Sequence, residues 1–482
     1  MTSTFGITGY GGHIPRLRIP RAAIAAAHAW MAPSLRGLGK GRRAFACWDE
    51  DCVTLAVEAA RDALGRRDRS ALSAVQLAST TFPYADLQHA TIVAGALNLP
   101  AQVSTLDIGH SQRAGVSALL TALKSSGDTA LCIAADTPRG KPGSVQEISS
   151  GAGAAAFTLG SDGVIAELVG SASLSTLFVD HFRASTSNYD YVWEERWIRD
   201  EGYLKLVPQT VRAALADAGL DAAAVDHFIL GTPLKGVGAA VAKSLAIAAD
   251  KVADPLDAEL GYCGTAHAPI QLAHVLETAS AGQVIVVAGF GQGCDVLVLR
   301  VTDAIATFKP QRGISGALAD GIEQPEYLRF LSYADGIELD WGMRAEKNAK
   351  TALTEQYRSS RQILGFMAGR SPDGTVQFPQ LPYSVVPGQP APRSTFEQVS
   401  LADEPAKVLT ITADWLSYHP APPLYVGFVQ FDNGARLSME TVDVGPSGVD
   451  VGTPVRMVFR IKEQDKVRGY ARYFWKATPL SA

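Results

Sequence analysis

Hydrophobic and polar positions change their period along the chain, and the changes mark its elements. Short apolar runs fall at 4–10, 74–79, 129–135, 154–159, 227–230, 284–288 and 296–301, with the length and composition of strands. Between them, residues 51–64, 113–124, 203–218 and 237–246 repeat apolar positions at helical spacing, which predicts helices with one buried face. Residues 219–224 read as a helix end followed by a loop. Strands separated by helices of this length predict a layered α/β architecture over residues 1–302. No stretch repeats another in identity, yet the coarse element order of 3–165 recurs in 166–302, which predicts two similar halves, about 1–165 and 166–302.

The pattern changes after Val301. Residues 303–360 are charged and read as a partly helical connector, with Trp341 and a polar run over 344–361. Residues 371–405 are rich in proline and read as irregular. From about 407 the period is that of strands. Runs at 424–431 and 435–442 flank Asp432-Asn433-Gly434, where Asn-Gly favours the positive φ of a tight hairpin. Runs at 454–461 and 470–476 follow, so 361–482 is expected to close into a small β-barrel.

Composition narrows the picture. A chain of 482 residues exceeds one ordinary core. With 47% hydrophobic and 19% charged residues it has a globular balance, and a net charge of −5 gives no reason to expect nucleic acid or an anionic membrane as partner. The five cysteines, at 47, 52, 132, 263 and 294, form no CxxC pair, which argues against a disulfide framework and a zinc site. The opening sequence has no basic region leading into an apolar core, and no run has the length of a membrane span. A cytoplasmic protein without bound metal is expected.

Several motifs, in order, carry a resemblance. Gly9-Tyr10-Gly11-Gly12-His13-Ile14-Pro15-Arg16, Asp49-Glu50-Asp51 before the helix at 54–64, Ala135-Asp136-Thr137-Pro138, the Gly151-to-Ala156 strand entry and the turn Gly289-Phe290-Gly291-Gln292-Gly293 resemble the bacterial and archaeal hydroxymethylglutaryl-CoA synthases of the thiolase superfamily. The resemblance implies a five-layered α/β/α/β/α thiolase fold of two pseudo-repeated halves, a homodimer, and coenzyme A as thioester substrate or acyl acceptor. Residues 361–482, through 425–431 and the Gly448-to-Val458 segment, resemble the OB-fold partners of thiolase-type enzymes. Many relatives precede that barrel with a zinc ribbon of two cysteine pairs; here 364–389 takes its place without a cysteine.

Catalysis in the family implied by the resemblance uses a cysteine, a glutamate and a histidine, and the second half carries an asparagine loop. The cysteine slot falls in Asp107-Ile108-Gly109-His110-Ser111-Gln112-Arg113-Ala114-Gly115, at Gln112, or at Ser111 with a slip of one residue. The glutamate slot falls at Thr80, the histidine slot at Gly231 and the asparagine slot at Tyr262, in the loop Gly261-Tyr262-Cys263-Gly264-Thr265-Ala266-His267. A carboxamide cannot form a stable thioester, so the expected activity is making or breaking a C–C bond in a β-keto or β-hydroxy acyl-CoA, of Claisen or aldol type, without an acyl-cysteine.

Tyr262, His267 and His110 are then the expected acid/base groups, with backbone N–H groups near Gly291 holding an enolate oxygen. Two other readings stand beside this one: an acyltransferase whose nucleophile has moved to Ser111 or Cys263, and a non-catalytic subunit of an acyltransferase complex. The polar–aromatic run Asp180-His181-Phe182-Arg183 lies where the family lines its substrate tunnel, which makes Asp180 and Arg183 candidate substrate contacts; His181 alone carries no supporting pattern. Gly289, Gly291 and Gly293, with Lys205 and Lys243 as point charges for phosphate, are the candidate coenzyme A contacts.

Overall fold

The Asp51 side chain accepts a hydrogen bond from the Thr54 N–H, and the Thr54 hydroxyl accepts one from the Asp51 N–H, both at 2.9 Å. This reciprocal cap starts the helix Cys52–Leu64 at the position the sequence marks for it. The structure is a computed structural model that describes residues 5–125, 129–346, 352–388 and 390–480. The predicted first strand residue Thr4 and residues 347–351 of the polar run lie outside the described residues. The described chain divides into two units, one of 1–47, 51–91 and 100–337, the other of 48–50, 92–99 and 338–482. Residues 303–337, read from the sequence as the start of the connector, thus belong to the first unit.

The first unit is built on a nine-stranded sheet made of two related halves. From the centre outward, one half runs Gly6–His13, Gly153–Gly160, Ala130–Asp136, Ala74–Ala78, Ser104–Ile108. The other runs Ala166–Ser175, Gly293–Val301, Val284–Phe290, His227–Leu230. Each half begins with antiparallel pairs and ends with parallel ones. Where the second half would add its fifth strand, a single parallel bridge joins Phe228 to Val252. The halves meet through the antiparallel pairs Gly6–Glu167 and Ile7–Ala166.

Two buried helices lie between the half-sheets. Ala114–Lys124 packs on Ala130–Asp136 of one half and on Val284–Phe290 and Gly293–Val301 of the other. His267–Leu276 packs on Gly153–Gly160 and on His227–Leu230. They meet where the chain has no side chain: a Cβ on Gly115 would lie 2.4 Å from the Thr265 carbonyl oxygen. The outer faces carry Cys52–Leu64 on one half and Leu204–Asp217 on the other. The order is therefore helix, sheet, helix pair, sheet, helix, the five layers expected of the thiolase fold.

In the second unit, the main sheet runs Thr412–Asp414, Leu424–Phe431, Ala406–Val408, Pro454–Asp465, Tyr470–Pro479, and Arg436–Glu440 pairs with Leu424–Phe431. Thr441 forms a parallel bridge with Ala477, and the Val442 N–H donates to the Ala477 carbonyl at 2.8 Å, so the strands close on themselves. The ring is filled by Phe431, Met457, Phe459, Trp475 and Ala477, none more than 1% exposed. The stretch at 371–405, read as irregular, contributes Val376–Gln377 and Glu397–Ser400 to a small sheet around Met367–Arg370.

Candidate active site

Helix Ala114–Lys124 enters the middle of the first unit through the loop at 109–113, and the second half aims two loops at the same place. His110 there has φ of +67°, a left-handed conformation that turns the chain into the helix, and its side chain is exposed. The Ser111 hydroxyl donates to the Gly291 carbonyl at 3.0 Å. A backbone carbonyl is not a base, so this contact fixes the loop and leaves the hydroxyl inactivated. Gly289, Gly291 and Gly293 make room for the same loop and its partner strand. A Cβ on Gly289 would lie 2.8 Å from the Val116 Cβ, one on Gly291 2.7 Å from the Ser111 Oγ, and one on Gly293 1.9 Å from the Leu174 carbonyl oxygen. The Gly291 N–H, expected to face an enolate oxygen, instead donates to the Gly293 carbonyl at 3.0 Å.

Gln112 is held from both sides. The Tyr262 hydroxyl donates to its Oε1 at 3.3 Å, and its Nε2 lies 3.0 Å from the His181 Nε2. The His181 Nδ1 lies 2.6 Å from Asp180 Oδ2, and Gln292 donates to Asp180 Oδ1 at 3.4 Å. With the ring neutral, Asp180 accepts from Nδ1–H, so Nε2 of His181 carries the lone pair that accepts from the Gln112 amide. Burial alone would lower the His181 pKa, but its hydrogen bond to Asp180 and the charges of Asp180 and Asp190 outweigh burial and hold it above the ordinary histidine range.

Tyr262 sits in a loop pinned to the first half. Its N–H donates to the Ser149 carbonyl and its carbonyl accepts from Gly151, both at 2.8 Å. Burial, with the charges of Asp180 and Asp136, pushes its phenol far above the ordinary range, so it is a hydrogen-bond donor at any working pH. His267, expected beside it in acid/base work, is buried with its ring 5.2 Å from the Tyr262 ring, and its Nδ1 accepts from the Cys263 N–H at 3.4 Å. Burial lowers its pKa to about 4 against the opposing charge of Asp257. Cys263 is also fully buried; burial and the Asp136 charge push its thiol up, the opposite of what a nucleophilic thiolate needs.

The lowered His267 pKa has a sign for stability. An unfolded histidine titrates near about 6.5, so between there and about 4 the unfolded chain holds a proton that the folded chain does not. The contribution is complete above that window and is lost as pH falls through it. Urea titrations of the full chain are expected to show an extra loss of about 2 kcal/mol on going from pH 7 to pH 5. His267→Gln should remove that part of the pH dependence.

Thr80 and Arg183 are brought together. Arg183 donates to the Thr80 carbonyl and pairs with Asp190 at 2.6 Å. The Thr80 hydroxyl donates to Asp136 at 2.7 Å. Asp136 is fully buried and also accepts from the Ser79 and Thr81 hydroxyls and the Thr80 and Thr265 N–H groups, which ties both halves to one carboxylate. Gly231 allows close packing, since a Cβ there would lie 3.1 Å from the Ala268 nitrogen. Lys205 is exposed and paired with Glu201 at 2.5 Å, and Lys243 is exposed on the helix Val237–Ser244. Among the described residues no group of three or more His, Cys, Asp or Glu is arranged to hold a metal ion, and no helix is long and apolar enough to cross a membrane.

Residues 215–301 match the family model described as 3-oxoacyl-[acyl-carrier-protein] synthase III C terminal. The chain is 32% identical over 361 residues to a hydroxymethylglutaryl-CoA synthase of Aeropyrum pernix, covering 73% of this chain and 96% of that one. It is 30% identical over 338 residues to the enzyme of the same name from Methanocella arvoryzae, covering 68% and 96%. Among solved structures, HMG-CoA synthase complexed with CoA superposes with a TM-score of 0.60 at 16% identity, covering 72% of this chain and 95% of that one. Sequence and fold agree: the chain belongs to the hydroxymethylglutaryl-CoA synthase family of the thiolase superfamily.

Proposed function

We propose that this protein makes or breaks a C–C bond in a β-keto or β-hydroxy acyl-CoA, by Claisen- or aldol-type chemistry, without an acyl-cysteine intermediate. The observation that carries the reading is the clamping of Gln112, at the start of the central helix, between the Tyr262 hydroxyl and His181. A carboxamide cannot be acylated to a thioester, but it can hold a thioester oxygen through its amide hydrogens. Tyr262 stays protonated and donates to the Gln112 Oε1, which polarises the amide hydrogens toward that oxygen. Donors held in place in a partly buried site favour the charge that develops on an enolate oxygen. Coenzyme A enters as the thioester carrier. The resemblance supports a homodimer, and scattered cysteines without a CxxC pair support a cytoplasmic location. An OB-fold for 361–482 is supported by its closed ring of strands and the parallel Thr441–Ala477 bridge.

The purified full chain should convert at least one of 3-hydroxy-3-methylglutaryl-CoA, 3-hydroxybutanoyl-CoA, 3-hydroxy-3-phenylpropanoyl-CoA or acetoacetyl-CoA with acetyl-CoA. Chromatography with mass detection would show the product as a thioester with a changed carbon skeleton. Simple hydrolysis, or no reaction across the panel, would reject the reading in favour of a non-catalytic subunit.

A further inference from the structure

The cavity whose wall includes His181, the neighbour of Gln112, is lined by aromatic side chains. Val179, Phe182, Tyr191, Trp193 and Trp197 line about 230 Å³ together with Asp180 and His181. The rings support one another: Phe182 lies 5.4 Å from Tyr191, Tyr191 lies 6.4 Å from Trp193, and Trp197 stacks on Phe178 at 4.1 Å. Phe182, Tyr191 and Trp193 nonetheless leave more than half their surface open to solvent. Large rings held in this way at a concave site are unusual unless something apolar covers them. An apolar cavity of about 150 Å³ already holds a benzene molecule.

Polar chemistry meets this cavity at one place. Asp180 and His181 are in its wall, and the His181 Nε2 is turned from the cavity wall to Gln112. Asp180 holds the ring from the other side, with Asp190 and Arg183 as the remaining charges facing it. Histidine oriented by a carboxylate, with its second nitrogen aimed at a carboxamide that can bind a carbonyl, is an arrangement for moving a proton.

We infer that His181, oriented by Asp180, is the proton-transfer group of the site, and that the aromatic cavity beside it takes a flat apolar substituent on the β-carbon of a β-hydroxyacyl thioester. The inference rests on the function proposed above and deepens it. In the cleavage direction, the β-hydroxyl takes the place of the Gln112 amide on His181 Nε2, which removes its proton. The β-oxygen forms a carbonyl as the Cα–Cβ bond breaks, and that electron pair becomes the enolate of the thioester. The Gln112 amide, polarised by the Tyr262 hydroxyl on its Oε1, holds the enolate oxygen, and the imidazolium returns the proton to Cα. The products are an acyl-CoA and an aldehyde or ketone; no acyl acceptor, oxidant or reductant is consumed. The reverse sequence is aldol addition.

The test uses the full chain with 3-hydroxy-3-phenylpropanoyl-CoA, which would yield benzaldehyde and acetyl-CoA, beside 3-hydroxybutanoyl-CoA. Wild type should prefer the phenyl thioester. His181→Gln, which keeps an acceptor for Gln112 but cannot titrate, should lower kcat about 10²–10⁴-fold. In wild type kcat/KM should rise with pH as the imidazole loses its proton, and Asp180→Asn should move that limb to lower pH, which a merely structural role would not do. Trp193→Ala should raise KM about ten-fold more for the phenyl thioester than for 3-hydroxybutanoyl-CoA. Near-normal turnover by a folded His181→Gln, or an unmoved pH limb in Asp180→Asn, would overturn the role of the pair while leaving the C–C reaction standing. Preference for the methyl substrate would overturn the assignment of the cavity. A wild type inert on both but active elsewhere in the panel would overturn the whole inference, and one inert on every thioester would overturn the proposed function with it.

Discussion

Arg460→Met is expected to destabilise the C-terminal ring by about 3–5 kcal/mol. Arg460 is 1% exposed, on the strand Pro454–Asp465. Its guanidinium pairs with Glu50 at 2.7 Å, Asp443 at 2.6 Å and Asp49 at 3.5 Å. On the neighbouring strand, Lys476 pairs with Asp49 at 2.9 Å and Glu440 at 3.0 Å, and its ammonium lies 4.4 Å from the Trp48 ring centre. Burial would lower the Lys476 pKa, but the two carboxylates outweigh it and hold the ammonium above the ordinary lysine range.

The cluster thus sets four carboxylates against two permanent cations, with His419 on Glu440 at 2.9 Å as a further partner. Removing Arg460 takes away the cation that Glu50, Asp443 and Asp49 share, and the desolvation cost of that buried negative charge makes the expected effect large. Methionine keeps the bulk of the side-chain stem, so a cavity is not the cause. Hydrogen exchange of the full chain by mass spectrometry reads the result: peptides from 454–465 and 470–479 should lose protection by the stated free energy. Unchanged protection would show that the cluster contributes nothing net.

Tyr262→Phe is expected to lower kcat by about 10²–10³-fold with little change in KM or thermal stability. The substitution removes one hydroxyl and keeps the ring. That hydroxyl touches Gln112 Oε1 at 3.3 Å and is protonated throughout the accessible pH range. It therefore acts as a donor whose bond strengthens when an oxygen beside Gln112 becomes anionic, and such an interaction is felt in the transition state more than in the bound substrate. Steady-state kinetics on the first thioester of the panel to turn over decides the matter. A rise in KM alone would make Tyr262 a binding residue.

Much of this architecture is legible in the sequence because its strands are apolar and its helices periodic. The runs at 227–230 and 284–288 are strand cores in the structure, and the helix at 51–64 begins at its capping residue. The strand Ala166–Ser175 is not legible. It is rich in alanine, serine and glycine, because a Cβ at Gly170 would lie 2.6 Å from the Ala218 Cβ where the outer helix ends against it. The edge strand Ser104–Ile108 escapes notice for a different reason: only its inner neighbour pairs with it, and it is largely polar.

At the site, the motif loops reveal Gln112 and Tyr262 because the resemblance aligns them. His181 has no such signal. Its partner Gln112 lies 69 positions away, and only the meeting of the two halves brings them within 3.0 Å. The one local hint is the acid directly before it in a run with Phe182 and Arg183. His267 misleads in the opposite way. Its place in the loop suggests chemistry, yet burial pulls its pKa to about 4 and its ring is used to hold the Cys263 backbone.

The central claim is that no residue of the chain carries the acyl group. Acetyl-CoA labelled in its acetyl carbons, incubated with the full chain and acetoacetyl-CoA or benzaldehyde as carbonyl acceptor, quenched in acid and mapped by peptide mass spectrometry, tests it most directly. The account predicts unmodified peptides across 107–115 and 261–268 while the labelled carbons pass into product. A stoichiometric acetyl group on Ser111 or Cys263, formed and lost at the rate of turnover, would contradict it.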